Sequence, residues 1–257
     1  MNTLWIFGDS FSWDCKIKFN TNGEVGGQIG RYITKYLNGV IFESWGEILA
    51  TNLNLNYINH ATYQTGIKLK GLSSGNSNNS NINLINELCP NFKKGDVVIF
   101  GFTDVCRFDW VSEENEILTL GAANYNINTL SHKQQLEQNL INKIIVRRDS
   151  SDFFKLDILQ KLKAIETLSD LVGFELWYWD WTGGFDSLVH DNIISKDNWI
   201  FFQAHPNYID YSNMIWNDYK VGSISWETNN RIGDGHMGKL GNAVHGKILS
   251  EFLSKRL

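Results

Sequence analysis

Asp96-Val97-Val98-Ile99-Phe100 is the most strand-like stretch of the sequence, and it decides the fold class. The run is continuously apolar after its aspartate and is bounded by Gly95 and Gly101, which is typical of a strand buried on both faces. Just before it, apolar residues within 82–88 are spaced as one face of a helix, and Pro90 marks the end of that helix. A helix that leads into a buried strand is the unit from which α/β folds are built.

Strands and helices alternate on both sides of this run. The same reasoning predicts strands at residues 4–7, 56–60, 174–181 and 199–203, and helices at residues 43–52, 133–148, 153–171 and 241–255. This alternation indicates α/β architecture: a three-layer sandwich with a central, mostly parallel sheet and helices on both faces. No repeat or linker divides the chain, so we expect a single domain over residues 1–257. An irregular stretch, residues 108–131, indicates an insertion or cap around residues 108–150.

The composition excludes several classes of protein. The chain has 257 residues, of which 42% are hydrophobic, and a net charge of −5 with scattered basic residues, so we expect no nucleic-acid partner. The three cysteines follow no CxxC spacing, which argues against a disulfide framework and a structural zinc site. No signal peptide or transmembrane run is visible, so we expect a cytoplasmic protein without a membrane partner. Its Asn-rich composition would also suit a phage-encoded enzyme.

Four separated stretches carry residues that could act together in acyl transfer. They are Gly8-Asp9-Ser10 after the first strand, Gly75-Asn76-Ser77-Asn78 after the second, Gly101-Phe102-Thr103-Asp104 after the third, and Asp234-Gly235-His236 before the last helix. The first three would lie at one edge of a parallel sheet, and a histidine before a C-terminal helix can reach that edge. By composition alone, residues 71–83 could equally be a floppy low-complexity loop.

The chemistry assigns each stretch a role. Ser10 would attack an ester carbonyl while His236 takes its proton and Asp234 orients the imidazole. Backbone N–H groups of Ser10 and Gly75 would hold the oxyanion, together with a side-chain donor from the third stretch. Gly, Asp and Ser are also common residues in turns, so Ser10 alone could simply form hydrogen bonds with backbone groups past the strand.

Taken in order, the four stretches resemble the sequence blocks of the SGNH or GDSL hydrolases, and the resemblance covers essentially the whole chain. It implies a flavodoxin-like sheet and a serine esterase without cofactor or metal, acting on a small-molecule or carbohydrate ester. The family offers an Asn donor in its third block where this chain has Thr103, so Thr103 or, as a substitute, Asn78 would complete the oxyanion hole. One residue rather than two separates Asp234 from His236. That spacing is similar to SGNH-type polysaccharide O-acetyltransferases and some carbohydrate esterases, which favours acetylated sugars as substrates.

Three functions stay open. An esterase would release a short acyl group to water, an O-acetyltransferase would pass the same group to a sugar hydroxyl, and a binding or structural protein would keep the fold without catalysis. His205, in His205-Pro206-Asn207, is the rival of His236 as the base but lies farther from the C-terminal helix. A metal site would have to use His205, Asp234 and His236, and a histidine base must be free of metal, so we expect none.

Overall fold

A computed structural model shows how this sequence folds. It describes residues 1–8, 41–61, 77–103, 108–111, 117–120, 139–140, 143–144, 147, 152–180, 185, 196–200 and 239–257. The strands in these stretches are Thr3–Phe7 (β1), Asn56–Asn59 (β2), Val97–Phe102 (β3), Phe108–Val111 (β4), Ile117–Leu120 (β5) and Glu175–Asp180 (β6). The α-helices are Trp45–Asn52 (α1), Asn78–Leu88 (α2), Asp152–Val172 (α3) and Lys239–Leu253 (α4).

Four of the strands form a parallel sheet in the order β2-β1-β3-β6. The N–H groups of Asn56 and His60 donate to the carbonyl groups of Asn2 and Ile6, so β2 runs in the same direction as β1. β3 pairs with β6 along its whole length, and Trp199 adds a single parallel bridge on β6. The predicted α/β fold with a parallel sheet is therefore confirmed.

The burial of each strand agrees with its place in the sheet. Every residue of β3 is buried, as expected for an interior strand of a parallel sheet. β6 is buried except at Glu175, its first residue. β2, the last strand in the order, alternates exposed and half-buried residues. The continuous apolar run at residues 97–100 thus marks the interior of the sheet, as the sequence predicts.

Local signals explain where the helices begin and end. α1 follows Ser44, whose side chain accepts a hydrogen bond from the Glu47 N–H group while the Glu47 carboxylate accepts one from the Ser44 N–H group. α3 ends before Gly173, which has a φ of 86° that only glycine adopts easily. The Gly173 N–H group donates to the Ser169 carbonyl at 2.7 Å and closes the last turn.

Two parts of the chain are more regular than the sequence predicts. α2 begins at Asn78, inside the stretch 71–83 whose composition also suits a floppy loop. β4 and β5 pair antiparallel, with Phe108 opposite Leu120, although residues 108–131 are predicted to be irregular. Asparagine has a low helix propensity, so the early start of α2 depends on the Ser77 cap and on contacts with the rest of the fold.

The described residues belong to two compact units. The first contains α1, β2 and α4, and there the rings of Trp45 and His245 meet edge to face. The second contains β3, β6, α2, α3 and the β4–β5 pair. The buried residues of α3 include Ile158, Leu159, Leu162 and Ile165. The expectation of a single domain with a cap stays a prediction. No helix within the described stretches has the length and apolar character needed to cross a membrane.

Candidate active site

Most residues predicted to carry the chemistry lie outside the described part of the chain. These are Ser10, Gly75, Asp234 and His236, together with the rival base His205. Their roles stay predictions. Asn78 and Thr103, the two candidates for the third oxyanion donor, both lie in the described part of the chain.

Thr103 lies at the edge of the sheet that the carboxyl ends of β1 and β3 define. The two strands are neighbours in a parallel sheet, so their carboxyl ends meet at the same edge. Gly8 follows β1 and Thr103 follows β3, and both residues are buried. Ligands of open α/β sheets bind outside this edge.

Asn78 joins the second and third of the predicted stretches. Its Oδ1 atom accepts a hydrogen bond from the Thr103 backbone N–H group at 2.9 Å, and its Nδ2 atom donates to the Thr103 carbonyl at 2.8 Å. Asn78 is 1% exposed and Thr103 is fully buried. The side-chain amide therefore makes one accepted and one donated hydrogen bond with the backbone of the residue that follows β3. A neighbouring strand would offer the backbone the same two partners.

The start of α2 holds Asn78 in place for this contact. Ser77 is the N-cap residue, and its Oγ atom accepts a hydrogen bond from the Ser80 N–H group at 3.0 Å. Ser77 is itself only 1% exposed. The Ser77 cap and the hydrogen bonds to Thr103 therefore together hold the first residue of α2.

A buried carboxylate at the end of β6 adds a group that no sequence motif predicts. The Asp180 Oδ2 atom accepts a hydrogen bond from the Phe185 N–H group at 2.7 Å, and Asp180 is 7% exposed. The Phe185 ring lies 4.4 Å from the ring of Phe102, between centroids. An acidic residue at the end of an apolar strand is the signal that could have revealed it. Within the described stretches, no three His, Cys, Asp or Glu side chains are grouped to hold a metal ion.

Tyr178 is a buried phenol that stays protonated. Its hydroxyl donates to the Glu166 Oε1 atom at 3.2 Å, and the Lys163 Nζ atom lies 2.7 Å from the other carboxylate oxygen. Burial, reinforced by the negative charge of Glu166, raises the pKa of Tyr178 far above its usual range. The phenol can donate a hydrogen bond but cannot serve as a base near neutral pH.

The two described histidines are packing residues. His60 follows β2 and stacks on the rings of Trp5 and Phe7, and burial lowers its pKa. His245, on α4, is fully buried against Trp45, and burial lowers its pKa to about 3. Both imidazoles are therefore neutral near pH 7 and contribute apolar surface to the fold.

Comparisons with known proteins give no relative from which a function could be carried over. No protein-family profile matches the chain, and neither a curated protein nor a solved structure matches it. The function has to be argued from the residues at the sheet edge.

Proposed function

We propose that this chain is a serine esterase of the SGNH/GDSL type, which hydrolyses short acyl esters, above all O-acetyl groups on a carbohydrate. The observation that carries the proposal is the pairing of Asn78 with Thr103. It links the second predicted stretch to the third at the edge where β1 also ends. Ser10 comes two positions after Gly8 in the sequence, immediately beyond that end of β1.

The strand order supports the same proposal. Strands of a flavodoxin-like sheet have the order 2-1-3-4-5, counted along the chain. The order β2-β1-β3-β6, with Trp199 bridged to β6, agrees with it. In such sheets the ligand site lies at the carboxyl ends of the first and third strands, where the strand order reverses. A flavodoxin-like, three-layer arrangement would bring a nucleophile after β1 close to Thr103 after β3.

The proposed reaction proceeds through an acyl-enzyme. The Ser10 Oγ atom attacks the ester carbonyl carbon as His236 takes the hydroxyl proton, while Asp234 orients the imidazole. Backbone N–H groups of Ser10 and Gly75 stabilise the oxyanion. His236 then gives its proton to the leaving alcohol, and acyl-Ser10 forms. Water, deprotonated by the same base, attacks the acyl group, and the carboxylic acid leaves as Ser10 recovers its proton.

Covalent labelling tests the nucleophile. A serine-directed fluorophosphonate should bond to the Ser10 Oγ atom with loss of fluoride, and peptide mapping should find the label there. Ser10→Ala should abolish both labelling and the burst of product from an aryl acetate. Ser12→Ala, two positions away, is the matched control and should keep both. A label on another residue, or equal rates for Ser10→Ala and wild type, would contradict the proposal.

Two matched histidine variants test the base. His236→Gln should lower kcat on an aryl acetate by at least about 1,000-fold, as loss of a triad base does in serine hydrolases. His205→Gln should change kcat by less than about threefold, since loss of an imidazole without a role in the reaction costs little catalysis. The reverse result would move the base to His205 and leave the serine chemistry intact.

An acetyltransferase is the second candidate, because only one residue separates Asp234 from His236. It would use the same acyl-enzyme but exclude water in favour of a sugar hydroxyl. Incubation with an acetyl donor and a panel of sugars, followed by mass spectrometry, distinguishes the two. Free acetate as the main product supports the esterase, whereas an acetylated sugar as the main product supports the transferase.

A further inference from the structure

We propose that Asn78 is a positioning residue, which ties the start of α2, three positions after Gly75 in the sequence, to the end of β3 and does not itself contact the substrate. The inference rests on the proposed function, because the placement of Gly75 matters to catalysis only if its N–H group holds an oxyanion. It replaces the role that the sequence suggests for Asn78, that of a direct oxyanion donor.

Both polar atoms of the Asn78 amide are bound to the backbone of one residue. The Oδ1 and Nδ2 atoms lie 2.9 and 2.8 Å from the N and O atoms of Thr103. A direct oxyanion donor has to point an N–H group at the substrate. Here one of the two Nδ2 N–H groups donates to the Thr103 carbonyl, and with only 1% of the residue exposed the other has almost no surface through which to reach a substrate.

Loss of this contact should destabilise the fold, as expected for a residue that holds two segments of the chain together. Thr103 is fully buried, so loss of the amide would leave its N–H and carbonyl groups without these partners in a place water does not reach. Buried backbone groups are nearly always paired, and an unpaired one destabilises the fold. A side chain of another length or charge cannot offer the same donor and acceptor to a single residue.

The position of Asn78 limits that of Gly75 because the two are close in the sequence. Gly75 lies three positions before Asn78 and two before Ser77, the N-cap whose hydroxyl closes the first turn of α2. Fixing Asn78 against β3 therefore limits where a donor three positions earlier in the chain can lie. Oxyanion donors stabilise the transition state only when they are preorganised, and a displacement of about 1 Å can cost about 100-fold in rate.

The test measures stability and kinetics on the same variants of the full chain. Asn78→Ala should lower the urea midpoint of unfolding and also lower kcat on an aryl acetate by about 10- to 100-fold, with KM within about threefold of wild type. Asn78→Asp should lose the donor to the Thr103 carbonyl while its carboxylate can still accept from the Thr103 N–H group. As pH falls and that carboxyl gains a proton, it recovers a donor, so its midpoint should approach that of wild type.

Tyr178→Phe is the control for general destabilisation. It removes a buried hydrogen bond within the same unit but leaves the contact between Asn78 and Thr103 in place. We expect it to lower the urea midpoint while kcat stays within about threefold of wild type. A fall in kcat as large as that of Asn78→Ala would mean that stability alone limits activity, and the positioning role would be lost.

The remaining outcomes separate this inference from the proposed function. A fall in kcat for Asn78→Ala without a lower midpoint would make Asn78 a direct donor and overturn the positioning role. A lower midpoint with unchanged kcat would reduce the contact to fold stability and overturn it as well. If wild type shows neither labelling of Ser10 nor esterase activity, the proposed function fails first, and the positioning role fails with it.

Discussion

Tyr178 and Glu166 form a hydrogen bond inside the second unit, where Tyr178 is fully buried and Glu166 is 6% exposed. The carboxylate also meets the Lys163 Nζ atom at 2.7 Å, and the Lys163 side chain is 58% exposed. A charge buried to this degree needs its partners, because each hydrogen bond offsets part of the hydration that it has lost. The phenol is the deeper of the two partners and is not screened by solvent.

Removal of the Tyr178 hydroxyl should show how much its hydrogen bond contributes to the free energy of unfolding. Tyr178→Phe keeps the ring and its packing but deprives a buried carboxylate of a donor, so we expect the free energy of unfolding to fall by about 1–3 kcal/mol. Urea denaturation measures the change. Thr167→Ala, which removes an exposed hydroxyl from the same helix, is the control and should cost less than about 0.5 kcal/mol. Equal stability of Tyr178→Phe and wild type would show that Glu166 recovers a partner from water.

At the scale of elements, α1 and α4 pack through small and polar residues. The Asn242 Oδ1 atom accepts a hydrogen bond from the Trp45 N–H group at 2.9 Å and so satisfies a free donor at the start of α1. Asn52 donates to the Ser250 hydroxyl at 3.0 Å. Asn242, Gly246 and Ser250 recur every fourth residue, so they form one stripe along α4.

Gly246 sets how closely the two helices approach. A Cβ atom at this position would lie 2.8 Å from the Ile48 side chain and 2.9 Å from the Trp45 carbonyl oxygen. Gly246→Ala should therefore lower the free energy of unfolding by about 1–3 kcal/mol, even though alanine favours a helix. Lys247→Ala, at the exposed neighbouring position, is the control for helix propensity. A rise in the unfolding midpoint for Gly246→Ala would contradict this packing.

The elements differ in how far the sequence could predict them. β1, β3 and β6 lie within two residues of their predicted bounds, because a buried strand needs a short apolar run and little else. The start of α2 could not be predicted in the same way. Its first residue is held by Thr103, which is 25 positions away in the chain. For the same reason the sequence suggests Asn78 as a site residue but does not reveal the backbone that its amide binds.

At the scale of the whole molecule, the sequence indicates the catalytic chemistry, whereas the structure indicates how the sheet edge is held together. The order of the four stretches predicts a nucleophile at Ser10 and a base at His236, and both remain predictions. The acid that ends β6, Asp180, has no place in that pattern because its partner is a backbone N–H group rather than a motif residue. Contacts of a side chain with the backbone leave little trace in a single sequence, whether the partner is 5 positions away, as for Asp180, or 25 away, as for Asn78.

The stability of the molecule should also depend on pH through its buried histidines. Burial lowers the pKa of His245 to about 3 in the folded state, whereas an exposed histidine in the unfolded chain titrates near 6.5. Between these two values the unfolded chain binds a proton that the folded chain does not. The contribution of the neutral His245 to stability is therefore fully present above about pH 6.5 and is lost as the pH drops toward about 3. His60, whose pKa burial also lowers, contributes in the same direction.

Replacing His245 separates its contribution to the loss of stability at low pH from the contribution of the protein's Asp and Glu carboxyl groups. His245→Leu puts an apolar side chain of similar size against Trp45 and removes the titration, so the variant should lose less stability on acidification than wild type. The difference between the two proteins should widen by up to about 1.4 kcal/mol for each pH unit below about 6. Urea unfolding of both proteins at several pH values, followed by tryptophan fluorescence, provides the measurement. Parallel curves would mean that His245 is already charged in the folded state, which its complete burial would make very costly.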